Sequence, residues 1–284
     1  MQQRSSLKFT KMHGAGNDFV ILDIRDRAAP TEETCRYLSD RHFGVGCDMI
    51  LGVALPRSSE AIASYKIWTS DGLPVSQCGN GARCIAAWVL NRGLCSGQTM
   101  ALDGPTGTHT VELVGPDNFS ISLCVPNFLS ESIPVSGLTS YDGRYHFKRA
   151  NGEHLSFVGV SMGNPHAVIE VEDVDEARVT EIGLELQKSP HLTPRINVGF
   201  VQILSRTRIK LRVFEFGAGE TLACGSGACA AVAAMIRTGK LENNVQVELP
   251  GGELKVSWPA FNQAAVLSGP AKIVFEGNIE NDHL

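Results

Sequence analysis

The sequence predicts an α/β fold of two similar halves related by a pseudo-twofold axis, each a curved mixed or antiparallel sheet wrapped around a central apolar helix, with the active site in the cleft between them. Three observations carry this expectation. Two glycine-rich cysteine segments, Cys78-Gly-Asn-Gly-Ala82 and Cys224-Gly-Ser-Gly-Ala228, each run into an alanine-rich apolar stretch closed by a glycine, Gly93 or Gly239. The offsets 224 − 78 and 239 − 93 are both 146, and Gly16-Asn17 and Gly163-Asn164 repeat at 147, the mark of one ancient duplication and not of a short solenoid. Finally, Ala228–Ile236 is apolar on every side, so it must be enclosed, and a curved sheet is the natural enclosure.

Taken in order, alternating apolar residues predict strands at Leu7–Met12, Asp18–Ile24, Ile62–Trp68, Gly107–Leu113 and Phe119–Val125 in the first half. The second half offers Leu155–Ser161, Ala167–Val171, Val198–Leu204, Ile209–Phe216, Val245–Leu249 and Leu254–Trp258. Surface helices are expected at Thr31–Arg41 and Val174–Gln187, both following turn-formers and carrying acidic residues where the helix dipole favours them. Proline, asparagine and serine cluster at Pro126–Pro134, which reads as a linker. The halves are therefore placed at residues 1–125, with the C-terminal segment 273–284 free to return to them, and at 126–272.

Bulk composition excludes several classes. With 284 residues, 43% hydrophobic and 19% charged, the chain can bury a sizeable core. A net charge of −5 and scattered Lys and Arg argue against nucleic acid. No apolar run approaches the roughly 18–20 residues of a membrane span, and the first residues lack a signal-peptide core. Eight cysteines in a chain this long are not a disulfide scaffold, and they lack metal-ligand spacing. The expectation is a cytoplasmic protein with reduced cysteines, no metal, no membrane partner and a small-molecule ligand; a homodimer is left open. Cys35, Cys47, Cys95, Cys124 and Cys229 read as small packing residues.

A Gly-x-Gly turn opening a helix lets backbone approach a ligand closely, and the first helical amides point outward with the positive end of the dipole. A carboxylate is welcome there, and a cysteine in the same field is stabilised as thiolate. One such segment is as readily a plain turn as a site. Two of them, facing one cleft, would hold a carboxylate between two helix tips with a sulfur on either face of the adjacent carbon. One thiolate then removes a proton and the opposite thiol returns one, inverting the centre with no cofactor.

At these residues the sequence resembles the diaminopimelate epimerase family. The segments that carry the resemblance are Lys11–Phe19 (KMHGAGNDF), Ser76–Cys84 (SQCGNGARC), Ser161–His166 (SMGNPH), Gly217–Ala231 (GAGETLACGSGACAA) and Asn244–Gly252 (NVQVELPGG). The resemblance implies a cofactor-independent amino-acid epimerase or racemase, with Cys78 and Cys224 as the acid/base pair. Gly79, Asn80, Gly225 and Ser226 would hold the reacting carboxylate through their amides. Asn17, Asn164, Asn197 and Glu215 match family substrate contacts, while His166 and Glu215 match residues that tune the cysteines. Taken alone, His166 reads as a hydrogen-bonded loop histidine and Glu215 as a solvated strand residue.

Three positions depart from the family pattern. Met49 stands where the family has glutamine, Thr69 where its N-A-D-G turn has asparagine, and Phe216 where its E-R-G-A-G-E-T segment has arginine. Arginine and asparagine help the family grip the far end of diaminopimelate, and phenylalanine does not replace a guanidinium fork at small cost. Two substrates follow: L,L-diaminopimelate, converted to its meso form for lysine and peptidoglycan precursors, or an amino acid with a neutral or aromatic side chain, histidine being one candidate. A non-catalytic binding protein is disfavoured because binding alone needs neither thiol. A thiol redox protein using Cys78 and Cys224, or Cys78 and Cys84, is the further alternative; the C-x5-C spacing of the second pair is no known redox signature, while a disulfide between Cys78 and Cys224 on oxidation stays open.

Overall fold

The computed structural model describes residues 6–193 and 195–280. The chain forms two compact units: one from the described residues up to Ile121 and from Ser268 on, the other spanning Ser122–Leu267. The divisions expected from sequence lay after residues 125 and 272.

In the first unit β1 (Ser6–Gly14) and β2 (Asn17–Asp23) form a hairpin closed by Ala15 and Gly16, both at positive φ (52° and 85°). A two-residue turn of that kind needs positive φ at both centres, which explains glycine immediately before Asn17. Next come α1 (Glu32–Ser39), β3 (Met49–Ala54), β4 (Ala63–Thr69), α2 (Gly79–Asn91), β5 (Thr99–Gly104), β6 (Gly107–Gly115) and β7 (Asn118–Ser122). β3 lies parallel to β2, β4 antiparallel to β3, β5 parallel to β4 and β6 antiparallel to β5. α1 starts as expected: Thr31 Oγ1 accepts the Thr34 amide at 3.1 Å, with Glu32 and Glu33 in the first turn. It covers one sheet face over Val20, Leu22, Ile50 and Trp68, while α2 packs on strands β1 to β6.

The second unit opens with β8 (Thr139–Tyr141), β9 (Arg144–Lys148), β10 (His154–Ser161) and β11 (Pro165–Glu170). It continues through α3 (Val179–Lys188), β12 (Asn197–Ser205), β13 (Arg208–Glu215), β14 (Gly219–Thr221), α4 (Gly225–Arg237), β15 (Asn244–Leu249) and β16 (Gly252–Ser257), after which β17 (Val266–Pro270) leads from the second unit into the returning segment of the first. Its pairing repeats the first unit: β10–β11 antiparallel, β11–β12 parallel, β12–β13 antiparallel, β13–β15 parallel, β15–β16 antiparallel. The two units therefore share one internal topology, including an outer helix (α1, α3) and an inner one (α2, α4). α4 is the fully apolar helix, enclosed by β10, β11, β12, β13 and β16. The strand β18 (Lys272–Glu280) pairs antiparallel with β1.

Three expectations change. The helix placed at Val174–Gln187 begins at Val179, because the Asp173 carboxylate accepts the Asp175 amide at 2.9 Å and holds the acidic stretch as a turn while Val174 enters the core. Pro126–Pro134 is no linker: Asn127 exchanges backbone hydrogen bonds with Ser161, and Ile133 is buried against Phe157 and its neighbours. Cys35, Cys47 and Cys229 are core residues, but Cys95 and Cys124 lie beyond the ends of α2 and β7 and are half-exposed.

Candidate active site

Each unit carries one of the two predicted cysteines. Cys78 is the N-cap of α2, extended at φ −151° and ψ 105°, and its sulfur accepts the Gly81 amide at 3.3 Å. Cys224 caps α4 in the same way, with the Gly227 amide 3.4 Å from its sulfur. Both cysteines thus take the position normally held by serine, threonine or aspartate, so the electropositive end of each helix is directed at sulfur. The glycines three residues on are closely packed. A Cβ at Gly227 would lie 3.1 Å from Val213 Cγ2 and 3.2 Å from the Cys224 sulfur, and one at Gly81 3.2 Å from Leu51 Cδ2.

Around Cys78 the first unit gathers Asn17, Gly79 and Asn80, all buried. Asn80 Nδ2 donates to Asn17 Oδ1 at 3.2 Å, and Asn17 Nδ2 donates to Asp48 Oδ2 at 2.8 Å. Asp48 is held in turn by Arg41 at 2.9 Å, and Asp18 joins Arg41 to Lys11. Those cations keep the Asp18 carboxyl down at about 2. Asn17 Oδ1 also stands 3.9 Å from the Cys78 sulfur. Met49 and Thr69 are direct cross-strand partners on β3 and β4. The Thr69 hydroxyl is spent locally, on Asp71 and the Leu73 amide.

The second unit surrounds Cys224 more tightly. Its thiol donates to Glu215 Oε2 at 2.9 Å, and the Thr221 hydroxyl donates to the other oxygen of that carboxylate. Burial, and then the negative charge of Glu215, push the Cys224 thiol well above its ordinary value, so this sulfur holds its proton. That is the reverse of what the helix dipole alone would give. Ser226 Oγ lies 3.6 Å from the same sulfur and accepts from Asn164 Nδ2 at 3.5 Å. Asn164 Oδ1 is 3.1 Å from His166 Nε2. Burial drives His166 down to about 3, so the imidazole is neutral, and a chain through Asn164 and Ser226 links it to Cys224. Asn197 Oδ1 accepts the Phe216 amide at 3.0 Å, and the Phe216 ring is 51% exposed.

Asn17, Gly79 and Asn80 lie beside Cys78, and Asn164, His166, Glu215, Gly225 and Ser226 beside Cys224, with Phe216 joined to Asn197; Met49 and Thr69 are paired with each other on the sheet of the first unit. Sequence reasoning missed Asp48, Thr221 and Arg83, although the last two lie inside segments already singled out. Met49 and Asn197 each open the third strand of their repeat, and Thr69 and Glu215 each close the fourth. The polar pair of the second unit is therefore matched in the first by the two departing residues Met49 and Thr69. Among the described residues no His/Cys/Asp/Glu cluster has metal-holding geometry, and no helix is long and apolar enough to cross a membrane.

Comparison with known proteins places this geometry. The family model for diaminopimelate epimerase matches residues 9–123 and 158–274. The chain belongs to the diaminopimelate epimerase family. It is 53% identical over 277 residues to an O-ureido-serine racemase from Streptomyces lavendulae, covering 98% of this chain and 96% of that one. It is 49% identical over 272 residues to the diaminopimelate epimerase of Xanthomonas euvesicatoria pv. vesicatoria, covering 95% of both. Among solved structures, a hydroxyproline epimerase from Agrobacterium vitis aligns with a TM-score of 0.72 at 14% identity, over 99% of this chain and 94% of that one. A probable proline racemase from Agrobacterium radiobacter gives 0.71 at 15%, over 97% and 93%. The family membership makes the chain an isomerase of the epimerase and racemase class.

Proposed function

We propose that the chain inverts the α-carbon of a free amino acid without a cofactor, using Cys78 and Cys224 as opposed proton carriers, and that the side chain of its substrate is uncharged. The thiolate on one face takes the α-proton, and the electron pair left on carbon is delocalised into the carboxylate. The leading amides of α2 and α4, those of Gly79, Asn80, Gly225 and Ser226, stabilise that charge. The thiol on the opposite face delivers its proton to carbon. One proton leaves and one arrives, and the two sulfurs end with their states exchanged. The observation that carries the reading is the repeated cap, a sulfur accepting the third amide of an enclosed helix at 3.3 Å in one unit and 3.4 Å in the other.

The substrate class rests on Phe216 standing where the family pattern has arginine. Without that guanidinium, a second carboxylate loses a charge-assisted partner, a loss of about tenfold to a hundredfold in binding. Met49 and Thr69, paired across two strands, put the other departures on one patch of sheet. O-ureidoserine, named in the Streptomyces relative, has an uncharged side chain and is the leading candidate. Diaminopimelate is the second reading, favoured by the retention of Asn17, Asn164, Asn197 and Glu215 at the family's contact positions.

The test is incubation of purified protein in D2O with O-ureido-L-serine, L,L-diaminopimelate, histidine and a panel of other L-amino acids, with no pyridoxal phosphate added. Loss of the α-proton signal and chiral chromatography report turnover. Efficient deuterium incorporation into a neutral amino acid, with diaminopimelate slower, supports the substrate assignment. Preference for diaminopimelate overturns it, and no exchange with any amino acid overturns the reaction.

A further inference from the structure

The two repeats share a topology but not a charge pattern. Thr69 and Glu215 close equivalent strands, and Arg83 and Cys229 are the fifth residues of α2 and α4. Each pair is separated by 146 residues, as are the two capping cysteines. The first repeat has a cation in its inner helix and an uncharged residue at its strand end. The second has an anion at its strand end and no permanent charge at that helical position.

Arg83 is wholly buried, at 0% exposure. Its guanidinium folds back along the helix, Nη2 2.8 Å from Asn80 Oδ1 and Nη1 3.4 Å from the Gly79 carbonyl. It lies against the two residues that follow Cys78, packed so closely that a Cβ on Gly14 would come within 3.4 Å of it. Arginine does not shed its charge on burial, so a permanent positive charge sits inside the first turn of α2, adding to the helix dipole. It also terminates an oriented chain of carboxamides: Asp48 accepts from Asn17, Asn17 from Asn80, and Asn80 from Arg83. Opposite charges at the two ends fix which way both amides face.

We infer that Arg83 is a positioning residue whose buried charge makes Cys78 the thiol that ionises, just as Glu215 keeps Cys224 protonated, so that the duplicated halves have become a base side and an acid side. This rests on the two-thiol reading above. Among other titratable groups of the same unit, Tyr65 of β4 is held neutral by burial, its hydroxyl 3.1 Å from His109 Nε2, and burial also raises the Cys84 thiol of α2. Lys11 and Arg41 are engaged by Asp18 and Asp48. Asn17 Oδ1, only an acceptor, favours the protonated thiol, but at 3.9 Å it is farther from the sulfur than the Gly81 amide at 3.3 Å.

The experiment is the pH dependence of iodoacetamide alkylation at each cysteine, resolved by peptide mass spectrometry, since a pH midpoint does not depend on how accessible the sulfur is. In the wild type the Cys78 midpoint is expected below that of Cys224. Arg83→Met should raise the Cys78 midpoint by about one to three pH units and leave Cys224 unmoved, while Arg83→Lys stays near the wild type. Glu215→Gln should lower the Cys224 midpoint. A wild-type Cys78 midpoint at or above that of Cys224, or a Cys78 midpoint unmoved by Arg83→Met, overturns the inference. If Arg83→Met does not fold, the wild-type order and the Arg83→Lys profile decide it. Cys78→Ser and Cys224→Ser, assayed for α-proton exchange, test the underlying reading separately. Exchange surviving in both removes that reading, whereas exchange lost in both with an unmoved Cys78 midpoint removes only the role of Arg83.

Discussion

The thiol of Cys224 and the carboxylate of Glu215 meet at 2.9 Å, with sulfur as the donor. The proton therefore rests on sulfur, where an acid that must reprotonate carbon needs it. Serine at Cys224 or Cys78 keeps a good helix cap but has a hydroxyl far too weak as an acid or base. Each serine variant should fold with a thermal midpoint near that of the wild type and lose roughly 10²–10⁴-fold in turnover. Deuterium exchange at the α-carbon, read beside a melting curve, checks both halves of this statement.

Gly227 packs closely beneath the Cys224 sulfur. A methyl group there must push Val213 or Cys224 back by a few tenths of an ångström. Because a displacement of about 1 Å at a reacting group can cost on the order of 10²-fold, a shift of a few tenths at Cys224 should lower kcat several-fold in Gly227→Ala. KM should change far less. Equal losses in kcat/KM through KM alone would show that the glycine serves binding and not the placement of sulfur.

Restoring the family's polar grip should redirect specificity. Phe216→Arg combined with Thr69→Asn is expected to raise kcat/KM for L,L-diaminopimelate by about tenfold to a hundredfold, the worth of one charge-assisted contact. Activity on a neutral substrate should fall or stay level. A double variant with no gain on diaminopimelate would place the specificity elsewhere.

His166 gives the protein a pH-dependent stability. Its folded value of about 3 lies below its ordinary 6.5, so the unfolded chain binds the extra proton first as pH falls. Stability is expected to be level above about pH 6.5 and to decline below it, by up to about 1.4 kcal/mol per pH unit. Between pH 6.5 and 5 few carboxylates titrate, and that window isolates the histidine from groups such as Asp18. Denaturant titrations of the wild type and His166→Gln, run across the window, should differ in slope, with the variant flatter. Parallel curves would contradict the assignment.

Much of this was legible in the residues themselves. The duplicated cysteine segments located both inner helices, and the all-round apolar character of α4 announced its enclosure. Strands with one wet face, such as β6 and β16, alternate in sequence and were found. β3 was not, because Met49–Ala54 lies between two neighbouring strands with a helix on each side, and a strand buried on both faces has no alternation to read. The short β8, β9 and β14 pair only locally, and three to five residues carry too little pattern. In the site, the resemblance supplied the residue list but not the electrostatics. A cysteine at a helix tip reads as a thiolate, and only the fold of β13 and α4 brings Glu215 against Cys224 and reverses that reading. The burial of Arg83 against Asn80 and Gly14 is a tertiary feature that one chain's local pattern does not carry.

The pairing of β18 with β1 has a consequence for how the molecule is made. β1 takes as its neighbour a strand made much later in synthesis, with register partners as distant as Ser6 and Glu280. The second unit is contiguous and can condense while synthesis continues, whereas the first must wait with one flank of β1 unpaired. An open strand flank is where chains join one another by mistake, so β1 is a vulnerable edge until β18 has been made.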